Sequence, residues 1–172
     1  MKRRIVIDTE TTGLDAKEDR LCEVAAIEID ENNRPIRIFH SYINPEMPMP
    51  YFAFRVHKLS DDFLSDKPTF EEIADALRDF LSGAMLIAHN ARFDVGFLDA
   101  EFNRLGYSNL VEMGCEMLCT LELAHCKVDI PRYSLNSLCD LFSIDRSDRN
   151  GAHGALIDAK LLIEVYTRLC EE

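Results

Sequence analysis

The hydrophobic positions change period along the chain, and each change predicts an element. Ile5-Val6-Ile7 is a short unbroken apolar run, as in a strand buried on both faces. Over residues 20–30, Leu21, Val24, Ala25, Ile27 and Ile29 give a second strand. Asn32-Asn33 marks a turn, and Ile36, Ile38, Tyr42 and Ile43 carry a third strand. The connections are short, so these three strands are expected to form an antiparallel meander. Pro45, Pro48 and Pro50 then mark a surface loop, and beyond it the period lengthens. Thr69 followed by Glu72 reads as a capping box, and Phe70, Ile73, Leu77, Phe80 and Leu81 form a helical stripe. Residues 84–88 read as another buried strand. Phe93, Phe97, Leu98, Phe102 and Leu105 predict a helix stopped by Gly106. A weaker strand is expected over 114–120 and short helices over 121–126 and 134–142. A last helix is expected over 155–170, with Leu156, Ala159, Ile163, Tyr166 and Leu169 on its core face.

Three antiparallel strands followed by alternating helices and strands predict an α/β protein with a mixed sheet flanked by helices. A ribonuclease-H-like fold needs this order, and other folds share it. The 172 residues fit a single domain, 1–172. The apolar runs are too short to span a membrane. Asp8 and Glu10 interrupt the first one too early for a signal peptide, so a soluble, cytoplasmic protein is expected. Six cysteines are too sparse for a disulfide scaffold, and most of them read as reduced core residues. Cys115, Cys119, His125 and Cys126 lack a paired C-x-x-C, and the adjacent His125 and Cys126 would strain to reach one zinc ion. The balance of 19 basic against 31 acidic residues, −12, argues against a non-specific nucleic-acid binder. It leaves room for an enzyme that meets nucleic acid through metal ions.

Four acidic residues stand in unusual places. Asp8 follows the first strand and Glu10 lies two residues on, so both point to one face. Thr11-Thr12-Gly13 follows as a turn with free backbone amides; the competing reading is a solvated acidic loop. Asp94 lies just inside a helix that follows a buried strand, where a carboxylate also serves as an ordinary dipole partner. Asp158 has Ala155, Leu162 and Val165 at −3, +4 and +7, so its charge lies on or beside an apolar helix surface. A partner arginine or an exposed edge would also explain it. His153, between Gly151 and Gly154, sits in the approach to that helix, where it faces either the same site or solvent. Four converging carboxylates would raise one another's pKa values, and two divalent cations would neutralise them. Oxygen ligands of this kind suit Mg²⁺ or Mn²⁺, and two such ions about 4 Å apart make a phosphodiesterase site.

These residues carry a resemblance. Residues 5–14, Ile5-Val6-Ile7-Asp8-Thr9-Glu10-Thr11-Thr12-Gly13-Leu14, resemble the first motif of the DEDD exonuclease superfamily. His89-Asn90-Ala91-Arg92-Phe93-Asp94 resembles the second, and His153-Gly154-Ala155-Leu156-Ile157-Asp158-Ala159 the third in its histidine (DEDDh) form. Within the superfamily the chain is most similar to the epsilon proofreading subunits of bacterial DNA polymerase III. Val56-His57-Lys58-Leu59-Ser60, Asp66-Lys67-Pro68-Thr69-Phe70 and Leu161-Leu162-Ile163-Glu164-Val165-Tyr166 add to that likeness.

The resemblance implies a ribonuclease-H-like fold and 3′→5′ hydrolysis of DNA to nucleoside 5′-monophosphates. It implies Asp8, Glu10, Asp94 and Asp158 as ligands of two Mg²⁺ or Mn²⁺ ions and His153 as general base. Thr11, Thr12, Gly13, His57 and Asn90 would contact the substrate, a single-stranded or frayed 3′ end. Two departures stand out. The family's glycine after the site histidine is Lys58 here, which would either reach a phosphate or lie solvated on the surface. The sequence also ends at Glu172, without the tail by which epsilon binds its polymerase, and it contains no Gln for a Gln-led sliding-clamp peptide. A polymerase partner is therefore an open expectation. The alternatives are a 3′→5′ exoribonuclease acting on short RNA or RNA 3′ ends, and a silent scaffold that keeps the fold without the chemistry.

Overall fold

In the computed structural model, which describes residues 2–149 and 151–171, β1 (Arg4–Thr11) has partners on both edges. On one edge β2 (Leu21–Ile29) runs antiparallel to it along its whole length, from Arg4↔Ile29 to Thr11↔Leu21. On the other, β4 (Met85–Ala88) runs parallel and pairs only through Val6↔Ile87. β3 (Pro35–Tyr42) adds antiparallel to β2, and β5 (Glu116–Cys119) adds parallel to β4. The order is β3-β2-β1-β4-β5, the mixed sheet expected from the sequence. Glu172, where the sequence ends, lies outside the described residues.

The first strand is longer than its apolar run. The sequence predicts its end at Ile7, yet β1 continues through Asp8 and Glu10 to Thr11. The cause is β2, which keeps supplying ladder partners after β4 has left. Residues Asp8 to Thr11 therefore have a paired edge and an open edge, and the open edge lies beyond the carboxyl end of β4.

Helices cover both faces. On one, α3 (Phe70–Leu81) and α4 (Ala91–Arg104) bury Phe70, Leu77, Phe97 and Phe102 against Ile5, Ile7 and Leu86. The expected cap of α3 is present: the Glu72 carboxylate accepts from the Thr69 N–H at 2.8 Å. Gly106 takes a φ of 78° after α4, which a residue with a Cβ adopts only at a cost. On the other face, α5 (Thr120–Lys127), α6 (Leu135–Leu141) and α7 (Ala155–Glu171) pack Leu138, Leu162 and Val165 onto Val6, Ala25 and Ile27. Among the described residues no helix is long and apolar enough to cross a membrane.

Two short helices, α1 (Tyr51–His57) and α2 (Asp61–Leu64), are not predicted by the periodicity. In α1 only Ala53 and His57 are buried, while Tyr51, Phe52 and Val56 are exposed, so no apolar stripe faces the core. Lys58 ends α1 in the left-handed region, φ 63° and ψ 15°. A lone non-glycine residue there costs about 1 kcal/mol. Its ammonium lies 5.7 Å from the centre of the Phe54 ring. Lys58 is exposed.

Candidate active site

Asp8 and Glu10 share the face of β1 that carries Val6, toward α7, while Thr9 points to the α4 face. Thr9 Oγ1 donates to Asp94 Oδ1 at 2.8 Å, tying the first turn of α4 to the strand. Asp158 lies in the first turn of α7, where the helix dipole favours an anion. Three segments far apart in sequence thus deliver carboxylates to the open end of β1. Glu10, His153 and Asp158 each place a ligand atom so that all three lie within 4.8 Å of one another. His153 approaches from the loop before α7, with Nδ1 3.0 Å from Asp158 Oδ2.

The electrostatics follow from this crowding. Burial holds the Asp8 carboxyl well above its ordinary range, and Asp94, Glu10, Asp158 and Glu23 push it further. Burial first, then Asp158, Glu23 and Asp94, raises Glu10 to about 8, with Arg149 opposing. Burial raises Asp94 to about 7 against the hydrogen bond from Thr9. Such a site favours protons or cations.

Two participants are absent from the sequence reading. Arg149, in a single 3₁₀ turn, donates from Nε to Asp158 Oδ1 at 2.6 Å and from Nη1 to Asn136 Oδ1. The sequence left Asp158 a place among the converging carboxylates, an arginine partner or an exposed edge; the structure gives it the first two and buries it. Glu23 lies opposite Glu10 in the ladder and is buried. Its signal was a charge inside a strand whose every residue is buried.

Next to the carboxylates, the turn after β1 is held firmly. Thr12 N–H donates to Arg20 O at 2.9 Å, so this amide is not free as the sequence reading expects. Arg20 N–H donates to Thr12 Oγ1 at 3.0 Å, and Thr11 Oγ1 to Gly13 O at 2.5 Å. A Cβ on Gly13 would meet the Asp19 carboxylate at 2.2 Å, so a larger residue there would have to displace the Asp19 side chain. Asn90 is exposed at the start of α4, in the left-handed region, with no capping bond from its side chain.

The RNase T family of exonucleases matches residues 5–166 by its family model. DNA polymerase III subunit epsilon of Rickettsia felis is 45% identical over 170 residues, covering 97% of this chain and 73% of the relative. The Escherichia coli subunit of the same name is 40% identical over 170 residues, covering 95% and 70%. The chain belongs to the exonuclease family. It is a 3′→5′ exonuclease similar to epsilon subunits. Escherichia coli exonuclease I, solved with a dT13 oligonucleotide, shares the ribonuclease-H-like fold at a TM-score of 0.85 and 18% identity, over 98% of this chain and 41% of that one.

In this exonuclease a cleft of about 200 Å³ opens beside Glu10. Thr11, Gly13 and His57 line it, as do Leu14, Phe52, Val56 and Phe93, which the sequence reading did not assign to the site. His57 Nδ1 accepts from the Leu59 N–H at 3.1 Å, and burial lowers its pKa, so the ring is neutral at pH 7. Cys22 is buried with its Sγ 3.8 Å from His57 Nε2. Cys115 is buried and donates to Leu81 O, and Cys126 is exposed.

Proposed function

We propose that this exonuclease trims DNA from the 3′ end to nucleoside 5′-monophosphates in a proofreading-like role, with residues 1–172 acting as one catalytic domain. The observation that carries the reading is the meeting of Asp8, Glu10, Asp94 and Asp158 beside His153 with little cationic charge to match them. The donor set fits two divalent cations, Mg²⁺ or Mn²⁺, held by those four carboxylates. When bound, the pair supplies charge neutralisation at the scissile phosphate and acidifies the attacking water.

The chain's own residues do the rest. With Nδ1 donating to Asp158, His153 keeps Nε2 as its basic nitrogen, and its half-exposed side chain reaches solvent. Nε2 takes the proton from the attacking water, whose oxygen bonds to phosphorus as the P–O3′ bond breaks. The departing 3′ oxygen takes a proton from solvent and becomes the new 3′-hydroxyl, and the terminal nucleotide leaves as its 5′-monophosphate. Leu14, Phe52, Val56 and Phe93 offer apolar walls to the terminal base, while Thr11 and Gly13 lie at the sugar-phosphate end. A grip confined to the last nucleotides suits a chain of net charge −12.

The test is a cleavage ladder on matched 5′-labelled single-stranded DNA and RNA, with Mg²⁺, Mn²⁺ or EDTA. Wild type should shorten DNA stepwise with metal only. Asp8→Ala and His153→Ala should each lose about a thousandfold in rate. Preference for RNA would transfer the reading to an exoribonuclease. No cleavage by folded, metal-supplied protein would end it.

A further inference from the structure

Glu23 is a buried carboxylate among carboxylates, and it differs from the others. Both of its oxygens are engaged inside the protein: Oε1 meets His40 Nε2 at 2.8 Å, and Oε2 accepts from the Ala155 N–H at 3.1 Å. Ala155 opens α7, and its N–H is one of the donors that a helix cannot satisfy internally. A Ser, Thr, Asp or Asn just before a helix commonly accepts such a bond. Here the preceding residue is Gly154, which has no side chain, and Asp158 N–H already bonds to Gly154 O at 2.9 Å. Glu23 supplies the missing acceptor from across the sheet.

The placement matters because of what the helix start carries. Asp158 is three residues after Ala155, and His153 is two before it. Glu23 faces Glu10 in the ladder, so its side chain links β2, the strand paired with that of Glu10, to the segment that carries Asp158 and His153. His40 stands on β3 opposite Ala25 and holds the far oxygen of Glu23. The Tyr42 ring lies edge-on to His40, ring centres 5.0 Å apart.

We propose that Glu23, held by His40, is a positioning residue of the exonuclease site: it caps α7 from β2 and sets where Asp158 and His153 stand relative to Glu10. This rests on the function proposed above. It adds that the hydrogen bond of Glu23 to Ala155 matters, not its charge, and that Glu23 is not a ligand for a cation.

The full chain tests it through Glu23→Ala, Glu23→Gln and His40→Ala. The readouts are kcat and KM on single-stranded DNA, Mn²⁺ affinity by calorimetry, and melting temperature. Glu23→Ala should lower kcat and Mn²⁺ affinity by about 10–100-fold, the usual cost of losing support behind a metal ligand, with KM changed less than about threefold. Gln keeps a carbonyl oxygen for Ala155, so Glu23→Gln should recover to within about threefold of wild type, with His40→Ala between the two. Unchanged kcat and Mn²⁺ affinity in Glu23→Ala, whatever happens to its melting temperature, would overturn the proposal. Glu23→Gln as impaired as Glu23→Ala would overturn it too, by showing that the charge matters. If wild type cuts neither nucleic acid, the function fails; weakened Mn²⁺ binding in Glu23→Ala alone would still support the positioning role.

Discussion

Two groups of buried carboxylates sit at different places in this fold, and their partners set them apart. Glu101 on α4, 1% exposed, is met by Arg20 Nε at 2.8 Å, Arg104 Nη1 at 3.3 Å and the Leu21 N–H at 3.1 Å. Glu28 on β2 is met by Arg37 at 2.5 Å and Arg3 at 3.4 Å. Each is an anion neutralised by its own chain. At the open end of β1, Asp8, Glu10, Asp94, Asp158 and Glu23 converge instead. The ion pairs among the described residues give that cluster one arginine, Arg149, with His153 and His40. Burial of an acid alone is therefore a poor sign of function. An unmatched buried charge is a good one, because the fold tolerates its cost only where a cation or a proton offsets it.

Removing one charge from each group sharpens the contrast. Asp94→Asn should cost about a thousandfold in kcat, yet leave the melting temperature in EDTA unchanged or higher, since it relieves repulsion. A loss of stability with activity retained would place Asp94 among the structural acids. The matching change, Glu101→Gln, should lower stability by about 2 kcal/mol because its charged hydrogen bonds to the arginines go. Its kcat per folded molecule should stay at the wild-type level, as urea melts and single-turnover rates would show. A large drop in kcat would mean that the two groups are coupled through α4.

Where apolar side chains face the core, the sequence pattern is an adequate guide. β2, α3, α4 and α7 fall where periodicity predicts them because each buries a continuous face, whereas β3 stands where expected although Ile36 and Ile38 are exposed and its ladder to β2 holds it. The prediction failed where side chains face the cleft beside Glu10. Phe52 and Val56 on α1 are apolar and exposed, so they give no core-facing stripe. The end of β1 was misjudged because ladder partners, not apolar side chains, prolong the strand through Asp8 and Glu10. Asp8, Glu10, Asp94, Asp158 and His153 were legible one by one as polar residues at element ends. Arg149 was not, because a three-residue 3₁₀ turn has no period. Glu23 was visible in principle, and only the neighbouring strands and Ala155 give it meaning.

In the proposed function a bound cation offsets the charge at the end of β1. Thermal melts of wild type and Glu10→Gln, in EDTA and in Mn²⁺, from about pH 5 to about pH 9, test it most directly. Asp8, Glu10 and Asp94 have folded-state pKa values above their ordinary ones, at about 8 for Glu10 and about 7 for Asp94. The folded chain thus holds protons that the unfolded chain releases. Their contribution to stability is complete below the ordinary carboxylate range and is lost as pH rises through about 7 and then about 8. Wild type in EDTA should therefore melt lower as pH rises, Mn²⁺ should restore it most at the alkaline end, and Glu10→Gln should show a shallower fall and a weaker response to Mn²⁺. A wild type whose melting temperature in EDTA holds steady or climbs with pH and ignores Mn²⁺ would contradict the claim.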